Sequence, residues 1–159
     1  MIRKAIEKDA PRIADLADAK RRQYEAYQPV FHRPAANAKE MHESYLKGLV
    51  GKEGGIFLVF EDDGEVIGFI IAEVRSAPPV YDPGGKVCYV DDFVVADQGK
   101  WGSVGRQLLE AALRDARAAE TVLGLVVCGP KDAEKRAALV AMGFDVAAEW
   151  FVKPLKDFQ

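Results

Sequence analysis

Two apolar, β-branched runs, residues 56–61 and 66–75, are separated only by Asp62-Asp63-Gly64-Glu65. An Asp-Gly pair supplies the positive φ that a tight hairpin needs, and so short a link cannot carry a crossover, so the two runs must pair antiparallel. A loop rich in proline and glycine, residues 77–85, leads into a third long run at 87–95 that extends the pair into a meander. The other elements fall on either side of this meander. Residues 2–6 suit a short strand, after which Asp9 is placed to N-cap a helix with Pro11 in its first turn and Ile13, Leu16 and Ala17 on one face. Asn37 and Glu40 have capping-box spacing for a second helix that continues through Met41, Tyr45 and Leu49 and stops at Gly51, with residues 28–36 as the intervening loop.

The second half alternates. Over residues 103–118 the side chains of Val104, Leu108, Leu109, Ala112, Leu113 and Ala116 share one helical face. Residues 121–127 return as a strand. A further helix is capped by Asp132 and ended by Gly143 in the left-handed conformation with Phe144 packing back, and residues 145–152 form a last strand. Strand, two helices, three strands in meander, helix, strand, helix, strand is an α/β (α+β) order: a mixed sheet with helices on its faces.

A length of 159 residues fits one domain spanning 1–159, and 49% hydrophobic with 30% charged residues is the composition of a folded globular chain. The longest apolar stretch, residues 66–72, is far too short to span lipid, which argues against a membrane partner. A formal net charge of −3 lacks the basic excess of a nucleic-acid binder. The amino terminus is charged from Arg3 onward and lacks the apolar core of a secretory signal, so a cytoplasmic chain is expected. Cys88 and Cys128 form no Cys-x-x-Cys pair, and His32 and His42 complete no ligand spacing, so the sequence predicts neither a disulfide framework nor a metal site. Both histidines are expected on the surface.

The most informative stretch runs from Tyr89-Val90-Asp91-Asp92-Phe93-Val94-Val95 through Gly99-Lys100-Trp101-Gly102-Ser103-Val104-Gly105-Arg106 to Leu108-Leu109. It reads as strand, glycine loop, helix. The first turn of a helix leaves backbone N–H groups unpaired at the positive end of the macrodipole, where a pyrophosphate can bind. Gly99, Gly102 and Gly105 would let the backbone approach, Lys100 and Arg106 would add charge-assisted contacts, and Ser103 would cap the helix or donate its hydroxyl. The alternative is that the glycines only turn the chain and Gly105 only permits close packing. The spacing is neither Gly-x-Gly-x-x-Gly nor a P-loop.

On these residues the chain resembles the GNAT superfamily of N-acetyltransferases over nearly its whole length. The family's Gln/Arg-x-x-Gly-x-Gly/Ala hallmark aligns with Lys100-Trp101-Gly102-Ser103-Val104-Gly105. Lys100 stands for the usual Arg or Gln, and Ser103 for the first glycine. The opening Ile2-Arg3-Lys4-Ala5, the Asp63-Gly64-Glu65-Val66-Ile67-Gly68-Phe69 hairpin and the late Met142-Gly143-Phe144 are similar too. The resemblance implies a mostly antiparallel central sheet and acetyl-coenzyme A as co-substrate. It also implies a pantetheine arm lying along Phe93, Val94 and Val95, with Lys100 to Arg106 around the phosphates. Members often dimerise, so a homodimer is among its implications.

The acceptor would be a primary amine of a small molecule, an amino acid or a peptide. An alkylammonium with a pKa of about 10.4 is only about 0.04% neutral at pH 7, so a base must help. The resemblance puts an acidic residue on the central strand in that role, at Asp92 or Asp91, with Glu73 of the preceding strand in reserve. Alternation sends the two aspartates to opposite faces, so only one would meet substrate. A salt bridge or a strand-end anchor is the competing role for the pair. The family tyrosine that protonates the departing thiolate would fall at Leu139, so the usual acid is missing, and a catalytically silent acyl-coenzyme A sensor is the alternative to an enzyme. Tyr24, Tyr27, Phe31 and Tyr81 are candidates for the acceptor pocket, or else they cover the sheet edge.

Overall fold

Strands β2 (Gly55–Asp62) and β3 (Glu65–Arg75) turn through Asp63 and Gly64, whose φ angles of 47° and 81° give the hairpin its tight left-handed corner. The computed structural model describes residues 1–156. β1 (Ile2–Lys4) pairs antiparallel with β2, and β4 (Lys86–Val95) pairs antiparallel with β3. β5 (Thr121–Val126) adds to β4 in parallel, so the sheet order is β1-β2-β3-β4-β5. The mixed, mostly antiparallel sheet read from the sequence is thus present.

Strand alternation divides the core in two. Phe57, Val59, Phe69, Ile71 and Val94 pack under helices α1 (Ala10–Tyr27) and α2 (Ala38–Leu49). Leu58, Ile70, Ala72, Val90 and Phe93 pack on the other face against α3 (Arg106–Arg117) and against Leu139 of α4 (Ala133–Ala141). Gly68 brings α3 close to the sheet, since a Cβ there would meet Leu108, Val104 and the Val94 carbonyl, each at 3.1 Å. Cys88, wholly buried on the α3 face, is a core residue whose thiol pKa is raised by burial.

Two irregularities of β4 position the site. Ile71 faces Asp92 while Ala72 faces Val90, so Asp91 is the extra residue of a β-bulge. Pairing between β4 and β5 ends at Val90 and Val126, yet β4 continues to Val95. Among the described residues no strand lies beside that edge of β4 from residue 91 onward.

Several local expectations shift. Asp9 does not cap α1 with its side chain. Its carboxylate accepts the Ile6 amide at 2.9 Å and a two-pronged contact from the Arg3 guanidinium at 2.7 and 2.9 Å, tying the first strand to the helix start. This pairing holds the Asp9 pKa below its ordinary value. Asp9→Ala is expected to cost about 2–4 kcal/mol, measured as a lower urea midpoint at neutral pH. A lowered carboxyl pKa stabilises the fold above the unfolded value of about 3.9. That part of the loss therefore shrinks as pH falls through the folded value and both proteins carry a neutral or missing carboxyl.

At α2, Asn37 takes the N-cap position without a side-chain cap bond, and Gly51 ends the turn beyond the helix at φ 73°. Gly143, at φ 84°, closes α4 as expected, with the Phe144 amide donating to the Leu139 carbonyl at 3.0 Å. The strand expected over 145–152 does not form. Ala147-Ala148-Glu149 interrupts its apolar alternation, and Val146, Trp150 and Phe151 stay exposed, so no burial draws the segment onto β5. Trp150 instead lies 6.0 Å from the Phe31 ring.

Candidate active site

Asp92 points to the α1/α2 face, as does Val94 two residues on. Its Oδ1 is 2.7 Å from Lys20 Nζ of α1, one helical turn beyond the buried Leu16, and its Oδ2 is 3.6 Å from His42 Nε2 of α2. His42 Nδ1 lies 2.7 Å from the Arg21 guanidinium, which can only donate, so Nδ1 accepts and the ring proton sits on Nε2, toward Asp92. Burial lowers the His42 pKa against the opposing pull of Asp92, so the ring is neutral at pH 7 and its one lone pair is already engaged. His42 orients Asp92; it is not free to act as a base.

His42 was expected at the surface, but only 16% of its side chain is exposed. The available signal was its i+4 spacing from Leu46, the buried residue of α2. Lys20 was likewise missed. Its spacing from Leu16 places it at the rim of the buried face of α1.

The structure brings the three candidate acids together. Asp91 is exposed on the bulge, and Glu73 is 53% exposed beside Arg75 at 3.2 Å. Tyr45 of α2 has its phenol pKa raised first by partial burial and then by the charges of Asp91, Glu73 and Asp92, which cluster around it. Asp92, the least exposed of the three, is the one held by other side chains.

Between β4 and α3 the chain makes a short 3₁₀ turn, in which the Gly99 amide donates to Asp97 at 2.9 Å. A wide π-turn over Trp101–Gly105 follows, in which the Arg106 amide reaches back to the Trp101 carbonyl. The expected phosphate segment divides into two sides. Trp101, Val104 and Gly105 are buried, the Trp101 ring standing edge-on to Phe93 at 4.8 Å. A Cβ on Gly105 would strike that ring at 2.7 Å, whereas one on Gly102 meets nothing within 4 Å. Gly105 therefore serves packing, and Gly102, Ser103 and Arg106 face outward. Ser103 Oγ donates to the Lys100 carbonyl at 3.3 Å and makes no cap, while Arg106 pairs with Glu110 at 2.8 Å. Lys100 has no ion-pair partner among the described residues. An open glycine beside a half-exposed lysine at a helix start fits a diphosphate.

A cleft runs from Gln98 and Trp101 of this turn to Lys20, the ion-pair partner of Asp92. Its floor is the free edge of β4 with Phe93, Val94 and Val95, and its walls carry Lys20 and Tyr24 of α1, Asp132 just before α4, and Lys135 of α4. The Tyr24 hydroxyl donates to Asp132, bridging the two helices, and burial raises its pKa. Tyr27 neighbours Tyr24, ring to ring at 5.7 Å, and accepts from Gln23 at 2.6 Å. Phe31 is half-exposed against His32 at 4.8 Å. Tyr81, 71% exposed, lines a separate depression with Ser76, Gly85 and Thr121, so it does not share the cleft with the other aromatics.

The model of the acetyltransferase (GNAT) family matches residues 14–144. The chain belongs to this family. Solved structures agree with the GNAT fold. A mutant of the BH1408 protein from Bacillus halodurans superposes with a TM-score of 0.84 at 19% identity, covering 98% of this chain and 99% of the other. A predicted acetyltransferase from Clostridium acetobutylicum, determined with acetyl-CoA, gives 0.70 at 15% identity over 98% and 96%. The aminoglycoside 6'-N-acetyltransferase AAC(6')-Ih from Acinetobacter baumannii gives 0.70 at 13% identity over 100% and 99%. No curated protein matches the chain. Among the described residues no helix is long and apolar enough to cross a membrane.

One residue of this GNAT cleft is costly to the fold. Lys135 is 2% exposed, and burial lowers its pKa from the ordinary 10.5 to about 8. That gap is about 3 kcal/mol against the charged form. The unfolded lysine keeps its proton to about 10.4 and the folded one loses it near 8, so between these values the unfolded state binds more protons and stability rises with pH. Lys135→Met is expected to raise stability by about 2–3 kcal/mol at pH 7, with the advantage closing toward pH 10, as chemical denaturation across pH would show.

Proposed function

We propose that this chain transfers an acetyl group from acetyl-CoA to a primary amine by direct attack within a ternary complex. The observation that carries the reading is Asp92, a carboxylate already in contact with an ammonium, that of Lys20 at 2.7 Å, beside the unpaired edge of β4. Gly102, Lys100 and the first-turn amides hold the diphosphate, and the arm of the co-substrate follows the cleft past Phe93, Val94 and Val95.

Lys20 marks where a cationic nitrogen rests against Asp92, and an incoming ammonium competes with it for the same carboxylate. Asp92 then takes the amine proton, leaving a lone pair to attack the thioester carbonyl. Asp91 and Glu73, more exposed, draw cationic acceptors to the mouth rather than handle the proton. This favours acceptors that carry more than one positive charge. The aminoglycoside acetyltransferase named above acts on molecules of that kind.

Release of free thiol from acetyl-CoA across spermidine, kanamycin, glycine amide and a lysine-containing peptide, with glycerol as the uncharged alcohol control, tests the reading. Turnover is expected with a polycationic member and not with uncharged alcohols. Binding of acetyl-CoA with no thiol release from any member would favour the silent sensor instead. The observation behind that second reading is Leu139, buried in the core where a proton donor would be expected.

A further inference from the structure

Lys135 stands in the cleft without a contact ion pair among the described residues, and Asp132 and Asp92 offset its burial only in part. It sits on α4 one turn before Leu139 on the same face, and its Nζ lies 5.3 Å from the centre of the Phe93 ring and 5.1 Å from that of Trp101. It makes no hydrogen bond or ion pair with any described residue. The charged and titratable groups around it are Lys20 and Tyr24 on α1, Asp92 on β4, and Cys128 and Asp132 just before α4. Two aromatic faces compensate a buried ammonium only in part, and a methionine would fill the same space without the penalty. A cation kept in such a place suits a ligand that brings negative charge into the cleft.

Aminolysis of a thioester develops negative charge there, first on the carbonyl oxygen of the tetrahedral adduct and then on sulfur as the C–S bond breaks. The other proton carriers in the cleft are committed. The Tyr24 proton is given to Asp132, Lys20 is paired with Asp92, and Leu139 has no proton to give. We propose that Lys135 is the general acid of this enzyme, its Nζ donating a proton to the coenzyme A sulfur as the thiol departs. The proposal rests on the acetyl-transfer reading. The amine nitrogen forms the C–N bond, the C–S electron pair passes to sulfur, and the proton moves from Nζ to sulfur. Of the two protons the acceptor ammonium sheds, Asp92 takes the first before attack and hands it to solvent. It takes the second once the C–N bond has formed, and solvent restores Lys135. A lysine near 8 and a thiol of about 8.5 are closely matched, so the transfer is nearly thermoneutral.

The test uses free coenzyme A, which needs no acceptor. Thiolate absorbance of bound coenzyme A is followed against pH for wild type, Lys135→Met and Lys135→Arg, with each protein alone as the blank for Cys88 and Cys128. At a fixed pH below the thiol pKa, the wild type is expected to hold a thiolate fraction roughly tenfold above that of Lys135→Met, with Lys135→Arg keeping the excess through its charge. With the best amine of the panel, both variants are expected to lose roughly 10²- to 10⁴-fold in kcat with acetyl-CoA KM little changed, and Lys135→Met to lose the alkaline limb near pH 8. Identical thiol titration in wild type and Lys135→Met, both shown to bind coenzyme A, overturns the role of Lys135 and leaves acetyl transfer standing. Stable gain of one acetyl mass on Lys135 from acetyl-CoA alone overturns it too, by making the amine an acyl acceptor. Failure of the wild type to bind coenzyme A sinks the transferase reading and this role with it.

Discussion

Gly102→Asp is expected to abolish measurable acetyl-CoA binding while leaving the fold intact. An added Cβ at this position meets nothing within 4 Å, so the substitution introduces no clash. It does place a carboxylate at the helix start beside Lys100, where a diphosphate would have to approach. Two unit charges about 4 Å apart in a partly solvated site repel by about 4 kcal/mol, enough for a loss of roughly 10²- to 10³-fold. Calorimetry should show the loss of heat, and a thermal melt should show that saturating acetyl-CoA no longer raises the midpoint. Undiminished affinity would move the phosphate site away from this turn. Gly105 is a poorer probe, because any side chain there strikes the Trp101 ring at 2.7 Å and disturbs the core and the cleft together.

Asp92→Asn is expected to lower kcat by roughly 10²- to 10⁴-fold with KM for acetyl-CoA nearly unchanged. The amide keeps the shape of the carboxylate and can still accept from Lys20 at its oxygen, but it cannot take a proton from an amine. Steady-state kinetics with the best amine of the panel measures the split. An unaltered kcat would reduce Asp92 to an anchor for Lys20 and pass the proton to Asp91 or Glu73. Those two are separated from Asp92 by their exposure and by the bulge that sets Asp91 aside.

The hairpin at Asp63 and Gly64 and the amphipathic face of α3 were legible because each rests on local rules, a positive φ in one case and a helical period in the other. The last strand was not, because a strand needs a partner willing to pair, and residues 145–152 alternate too poorly to bury a face on β5. The same division runs through the site. The aspartate pair announced itself by standing in a β-branched run, a place aspartate avoids. Which of the two turns inward was decided by the bulge at Asp91, a two-strand register effect that one strand's sequence does not contain. Lys20, His42 and Lys135 come from three different helices, and only tertiary packing shows that they face Asp92 or the floor beside it. The glycine segment carried its meaning in bulk and not residue by residue. Gly102 and Gly105 look equivalent on paper, yet one opens outward and the other makes room for an indole.

The parting of β4 from β5 after Val90 leaves peptide groups that no described strand pairs with on that side. A slender molecule with amide groups of its own could serve there as a surrogate strand, so the selectivity of this groove would reside in main-chain pairing that substitutions other than proline leave in place. Its signature would be slowed deuterium uptake at Phe93 to Val95 once the groove is filled, in variants of Asp92 and Lys135 as much as in the parent chain.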